Sequence, residues 1–273
     1  IPPRGKTRWR VVFLAHLDSG VHRLTADSRL VGQLPRTLGG TTLLALVGGV
    51  LTLLAGRSQG WRALRTLSGG LAPGGAALAI IDEMGPDVQG ANGNASGVAV
   101  LLGLAEALRR RPLENTEVVL AFTGAATAVG TGADVLATQY AREWQDALWV
   151  VINSVGAGEL CWATRHGISP YAYYGPHPDA VHVMERVADA RPDLGLMGKT
   201  MLSLDEVAIL RDRDLRAVAL MGYDRVTGLI PNWRQHGDTI HAIDPATLER
   251  AAHAAWTAAC VVDQATNWPP TGV

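Results

Sequence analysis

The sequence predicts a three-layer α/β fold, in which a mixed, mostly parallel sheet is covered by helices on both faces. Three observations carry this expectation. Apolar runs of strand length alternate with helix-like periodic segments along the chain. Polar, chemistry-bearing turns fall just after those strands, where open α/β sheets keep their sites. At 273 residues and 48% apolar content, the chain can build one large core, so a single domain over 1–273 is expected.

The elements follow in order. Trp9 to Ala15 (WRVVFLA) reads as a buried strand, ended by the turn His16-Leu17-Asp18-Ser19-Gly20. Ala95 to Arg110 has helical periodicity, with Arg109, Arg110 and Arg111 where cations suit the helix dipole. Glu117 to Thr123 (EVVLAFT) is a second strand, followed by Gly124 and a helix through Ala133 to Tyr140. Ala147 to Asn153 is a third strand, Pro178 to Ala190 a helix, and Arg216 to Gly222 a further strand. Asp244-Pro245 reads as an N-cap with proline at the first helical position, opening a helix to about Asp263. His16, Gly124 and Asn153 thus fall at the carboxyl ends of strands.

One segment breaks this rhythm. Thr37 to Gly56 is a run of 20 uncharged residues bracketed by Arg36 and Arg57. Its apolar stretch is Leu43, Leu44, Leu46, Val47, Gly48, Gly49, Val50, Leu51, Leu53 and Leu54. A loop with Arg57, Arg62 and Arg65 follows, then a second uncharged run from Thr66 to Ile81 interrupted by Pro73. Together they read as an apolar helical hairpin inserted over residues 21–84. The first run is long enough to span a bilayer core, and the arginines suit a cytoplasmic turn. Its paired glycines also allow close helix approach, in lipid or between subunits. The bland alternative is a hairpin packed on its own domain. Left exposed, so much apolar surface would not stay solvated.

Composition narrows the function. A net charge of −1 with 18% charged residues creates no field favouring nucleic acid, so no nucleic-acid partner is expected. Cys161 and Cys260 form no spaced metal motif and could pair or stay as buried thiols. The sequence opens at Ile1-Pro2-Pro3 without methionine or an apolar leader, which reads as trimming or a partial chain. Trimming suits an exported protein, hence an extracytoplasmic location, secreted, at the cell surface or membrane-associated.

Three strings at strand ends carry a resemblance. They are Ala15-His16-Leu17-Asp18-Ser19, Gly90-Ala91-Asn92-Gly93-Asn94-Ala95-Ser96-Gly97, and Ala121-Phe122-Thr123-Gly124-Ala125. In this order they resemble the two-zinc aminopeptidases of peptidase family M28, which share their fold with the glutaminyl cyclases. The resemblance covers roughly residues 9–20 and 85–264. It implies two zinc ions bridged by an Asp, each with two further His, Asp or Glu ligands. It also implies a Glu that takes a proton from metal-bound water.

Carried over residue by residue, the family's first His falls on His16 and its supporting carboxylate on Asp18. The bridging Asp falls on Gly93. The adjacent Glu pair, base and ligand, falls on Ala126 and Thr127. The Asp of the following strand end falls on Val155, after Ile152-Asn153-Ser154. The last His, four residues before an Asp-Thr pair, falls on Arg234, ahead of Asp238-Thr239. Of these ligands only His16 survives, and a single imidazole holds no zinc. Arg234 adds a permanent cation that would repel a divalent ion. No metal and no other cofactor are therefore expected.

Other polar residues have plainer readings. His16 is expected to be a relic bonded to Asp18. His236 could replace the lost His only by a register slip, and would still meet only His16. Asp205 reads as an N-cap. Asn94-Ala95-Ser96 matches a glycosylation sequon at a helix start that the resembled family buries, and reads as a chance match. His22, His166, His177, His182, His241 and His253 show no metal-ligand spacing and read as surface or capping residues.

The function expected from these readings is a non-catalytic structural or scaffold protein that self-associates through the apolar insert. The resembled family has a helix and strands before this point, so a bared leading sheet edge is a second expected contact. Head-to-tail repetition of such a contact would give a ring or a filament. Two alternatives stand beside it. One is a membrane-anchored pseudopeptidase, held through residues 37–81, that binds peptide termini. The other is an active zinc aminopeptidase with unorthodox ligands.

Overall fold

The computed structural model describes residues 1–33, 80–127, 130–168 and 173–269, together with positions 36, 40, 43, 46, 47, 50, 77 and 78. Strand β1 (Trp9–His16) leads into a four-residue helix, α1 (Ser28–Val31). Helix α2 (Ser96–Arg110) and β2 (Thr116–Thr123) follow the insert. Then come α3 (Thr131–Tyr140), β3 (Leu148–Asn153), β4 (Glu159–Arg165) and α4 (Pro178–Ala190). The chain finishes with β5 (Met197–Thr200), α5 (Val207–Asp212), β6 (Arg216–Tyr223) and α6 (Pro245–Asp263).

The six strands form one sheet in the order β2-β1-β3-β6-β4-β5. The pairs β1–β2, β1–β3 and β3–β6 are parallel, while β4 runs antiparallel to β6. This is the mixed, mostly parallel sheet the alternating pattern predicts. Strand alternation splits the apolar residues between two cores. Val11, Phe13 and Ala15 face the core under α2, α4 and α6, whereas Val12 and Leu14 face the one under α3 and α5. Helix α6 buries Ala251, Ala254, Ala255, Ala258 and Ala259, a small-residue stripe that lets it sit close to both α2 and α4. Its start is as expected, with Asp244 accepting from Ala246 N and proline at the first turn.

Strands β4 and β5 and the short α5 lie outside the expected elements. Strand β5 has only four residues, and α5 only six, too few for a periodic signal. Cys161 lies in one core and Cys260 packs against the other, so the sheet separates them and both are free thiols. Burial pushes the Cys161 thiol up to about 12.

The leading edge strand is β2. It is not wholly bare, because Ile1 exchanges both backbone hydrogen bonds with Val118, at 2.7 and 3.0 Å, as an antiparallel pair does. By the alternation along the strand, the backbone groups of Leu120 and Phe122 point the same way, and they take no hydrogen bond among the described residues. The ring of Phe122 is exposed.

Of the apolar insert, Leu44, Gly48, Gly49, Leu51, Leu53 and Leu54 lie outside the described residues. Leu43, Leu46, Val47 and Val50 are helical and exposed, as are Leu78, Ile80 and Ile81. Among the described residues, no helix is long and apolar enough to cross a membrane.

The approach of α2 to the end of β3 is tight. A Cβ on Gly97 would come within 2.4 Å of the Ile152 carbonyl oxygen and 2.6 Å of the Asn94 amide. Gly97→Ala must therefore move backbone, and is expected to destabilise the protein by about 2–3 kcal/mol. Chemical denaturation of the two proteins checks this. An unchanged midpoint would show that the helix start is not held as described.

Candidate functional site

The site forms where the loops after β1, β2 and β3 meet the turn before α2 and the segment 232–238. Its frame is a set of buried side-chain hydrogen bonds to backbone. Asn94 donates to Ile152 O at 2.9 Å, while its Oδ1 accepts from Gly97 N and Ser154 N, each at 3.1 Å. Asn92 donates to Pro231 O and accepts from Gly156 N. Ser96 donates to Asn92 O and accepts from Val155 N. Asp238, also buried, accepts from Asn92 N at 2.5 Å and Gly93 N at 3.2 Å. Burial raises the Asp238 carboxyl above its ordinary range, with those two amides opposing. Asn94 has both side-chain ends engaged in the interior, so the sequon there is the chance match expected.

His16 ends β1 and is buried, with Nδ1 2.8 Å from the carbonyl oxygen of Asp18. Since a carbonyl only accepts, Nδ1 carries the proton and Nε2 keeps its lone pair. Burial holds the imidazole below its ordinary pKa; Asp18 opposes this and Arg234 adds to it. The carboxylate of Asp18 accepts from Ala126 N at 3.0 Å and Thr127 N at 2.9 Å, which ties the loop after β2 to the loop after β1. Burial pulls that carboxyl upward, but the Thr127 and Ala126 amides outweigh it and hold it below the usual carboxylate range.

A cavity of about 50 Å³ opens between these loops. It is lined by His16, Gly93, Ala126, Thr127 and Arg234 from the expected site, so five of those positions converge. Asp18 lies behind the lining and acts through the two amides. Val155 does not belong to it. The backbone turns left-handed at Ser154, with φ of 55°, and sends Val155 into the core beneath α2, fully buried. The side chains that face the cavity from this strand end are Asn153 and Ser154. Neither brings a carboxylate to the cavity.

Arg234 sits in a left-handed turn (φ 55°) and lays its guanidinium against Gly20, whose Cβ, if present, would stand 1.9 Å from Nη1. His236 stacks on His22 at 4.1 Å and is not among the lining residues, so the register slip does not occur. His177 caps α4, accepting from Asp179 N. His166 departs from its expected surface place. It is buried, with Nδ1 2.6 Å from Asp205 Oδ2, because the chain just after β4 pairs with Tyr174, whose ring stacks on the imidazole. Asp205 also accepts from Val207 N at the start of α5, although the N-cap position expected for it is held by Glu206.

Glu206 was not legible as a site residue, yet it lines the cavity, is buried, and leaves Oε1 without a partner. Burial, reinforced by the charge of Asp205, pushes its carboxyl up to about 8. The only signal in the sequence was an acidic pair, Asp205-Glu206, set against the apolar Val207, Ile209 and Leu210.

These side chains do not fit a pair of zinc ions. Gly93, Ala126 and Thr127 bring no nitrogen, sulfur or carboxylate donor, Asn153 brings an amide, and Arg234 repels cations. Asp238 and Asp205 spend their oxygens on backbone amides and His166. Among the described residues, no three His, Cys, Asp or Glu side chains come together as a metal site.

The sign of the Glu206 shift gives a pH prediction. Its folded pKa lies above the unfolded one, so its stability contribution is fully present below about 4.5 and falls as pH rises to about 8. Glu206→Gln removes this proton linkage. The variant is expected to gain on the parent by about 1 kcal/mol per pH unit across that window. Melting temperatures measured from pH 4 to 9 check it, and parallel curves for the two proteins would refute the buried carboxyl.

Comparison with known proteins agrees with this architecture. The model of "Peptidase family M28" matches residues 77–259. No curated protein matches the chain. Among solved structures, a zinc aminopeptidase from Bacillus subtilis superposes with a TM-score of 0.57 at 16% identity, over 95% of this chain and 47% of that one. A glutaminyl cyclase from Bacteroides thetaiotaomicron gives 0.58 at 13% identity, over 97% and 76%. A leucine aminopeptidase precursor from the same organism gives 0.56 at 14% identity, over 95% and 73%. The chain thus spans about half the length of the Bacillus subtilis enzyme, and at these identities the likeness speaks for the fold.

Proposed function

The chain belongs to peptidase family M28, and we propose that it is a non-catalytic member whose apolar segment joins it to further copies of itself. The observation that carries the first half is the donor set of the cavity. A zinc site needs about three or four protein ligands. Here Gly93, Ala126, Thr127, Asn153 and Arg234 stand around a single free imidazole nitrogen, that of His16. The place of the general base is taken by Ala126 and Thr127, neither of which removes a proton from water at neutral pH.

Two features support self-association. Leu43, Leu46, Val47, Val50, Leu78, Ile80, Ile81 and Met84 are all exposed, a concentration of large apolar side chains that calls for a covering surface. The outward backbone of Leu120 and Phe122 offers a second contact by strand addition. A second reading, favoured by the length of the uncharged run 37–56, is that the insert enters lipid and anchors the protein to a membrane.

Metal analysis of the purified protein is expected to find no stoichiometric zinc, and an aminoacyl reporter is expected to remain uncleaved with zinc supplied. About two zinc per chain with reporter hydrolysis would restore the active aminopeptidase. Sedimentation at micromolar concentration is expected to show assemblies that dissociate when Leu43, Leu46 and Val50 are changed to Ser. A monomer at every concentration would end the scaffold reading, and retention in the membrane pellet after carbonate extraction would establish the lipid one.

A further inference from the structure

The cavity is not merely emptied of metal ligands; its remaining open valences have a chemistry of their own. Three carboxylates lie beside it, and each is already satisfied. Asp18 is held by Ala126 N and Thr127 N, Asp238 by Asn92 N and Gly93 N, and Asp205 by His166 and Val207 N. Apart from the lone pair of His16 Nε2, the groups left open are of the opposite kind. Among the described residues, the Arg234 guanidinium has no hydrogen-bond or ion-pair partner. The Asn153 Nδ2 likewise has none, its Oδ1 being taken by Ser154 Oγ. Glu206 is nine-tenths buried or more and faces the cavity with Oε1 unpartnered.

We propose that this cavity is a receptor for a single carboxylate group, gripped by the Arg234 guanidinium and seated against the Asn153 amide and the Glu206 carboxyl. The inference rests on the non-catalytic reading, since it uses the space that metal ions would occupy. Burial of Glu206 keeps its proton in place near neutral pH, which makes it a donor toward an incoming oxygen. Arg234 presents the planar fork that matches a carboxylate in two parallel hydrogen bonds. The buried Glu206 Oε1 is costly to leave without a partner, and such a ligand would satisfy it while also pairing with Arg234 and Asn153.

Charge favours a carboxylate. A cavity of about 50 Å³ has room for such a group. One negative charge balances the single guanidinium, whereas the greater charge of phosphate would also meet Asp18, Asp205 and Asp238. The carboxylate has two potential sources, a free small acid or the C-terminus of a peptide. The glycine at position 20 sets the grip, because the guanidinium rests where any side chain there would stand.

The test is a titration, followed by chemical shifts or calorimetry, of the full chain with acetate, inorganic phosphate, and a short peptide with either a free or an amidated C-terminus. Acetate and the free-acid peptide are expected to bind, and phosphate and the amidated peptide are not. Binding of acetate but not the peptide would support the receptor and identify a free small acid as its ligand. Arg234→Gln is expected to weaken binding at least tenfold, the loss of a charge-assisted pair. Gly20→Ala keeps the charge but displaces the guanidinium, and should weaken binding likewise where Arg234→Gln fails to fold. No binding of any carboxylate, tighter binding of phosphate, or unchanged affinity in folded Gly20→Ala would overturn the proposal. Zinc content measured on the same samples separates the two readings. Failure to bind carboxylate without zinc removes the receptor alone, whereas zinc with hydrolysis removes the non-catalytic reading itself.

Discussion

The structure around the cavity depends on buried side-chain amides that close the carboxyl end of β3. Asn94 bridges the Ile152 carbonyl near the end of β3, the Ser154 amide just beyond the strand, and the start of α2. Asn92 and Ser96 do the same for Gly156 and Val155, and Asp238 brings in the segment that bears Arg234. Each bond satisfies a backbone group that would otherwise be buried and unpaired, at a cost of about 1–3 kcal/mol. These residues are therefore required by the fold whether or not any metal binds. That is the physical reason the turn can keep its asparagines and serine while its position 93 is glycine.

Removing acidic side chains from such a frame changes more than a ligand count. In a cleft built to hold two divalent cations, clustered carboxylates are neutralised by the ions. Here the acids that remain are engaged in other ways: Asp18 and Asp238 accept from backbone amides, Asp205 pairs with His166, and Glu206 retains its proton. The guanidinium of Arg234 supplies the one cation in the cavity lining. The site's unfilled hydrogen-bonding capacity is mainly that of donors.

The surface outside the cleft carries a different constraint. The sheet ends at β2, where Ile1 covers Val118 but not Leu120 or Phe122, and the described insert residues expose large apolar side chains. Among the described residues one is a row of backbone groups and the other an apolar area, surfaces of the kind that pair or pack with a further segment. A catalytic cleft would explain neither.

Much of this was legible in the sequence, and the exceptions have definite causes. The strands at Trp9, Glu117, Ala147 and Arg216 and the long helices were readable because apolar period and capping residues are local signals. Asp244-Pro245 is one such signal, and His16 and Asp18 at a strand end are another. Strand β5 and helix α5 were not readable, being too short to show a period. That Val155 is buried in the core while Asn153 and Ser154 face the cleft was not readable, because the left-handed dihedral at Ser154 has no signature when the residue is serine. Glu206 and His166 were missed because the burial of a polar side chain is decided by elements distant in sequence. By itself the sequence determined the α/β framework and which residue types stand where the family's motifs fall, since both follow from which residues are present. Only the tertiary structure decided which polar groups remain unpaired, because pairing depends on neighbours that the chain brings together by folding.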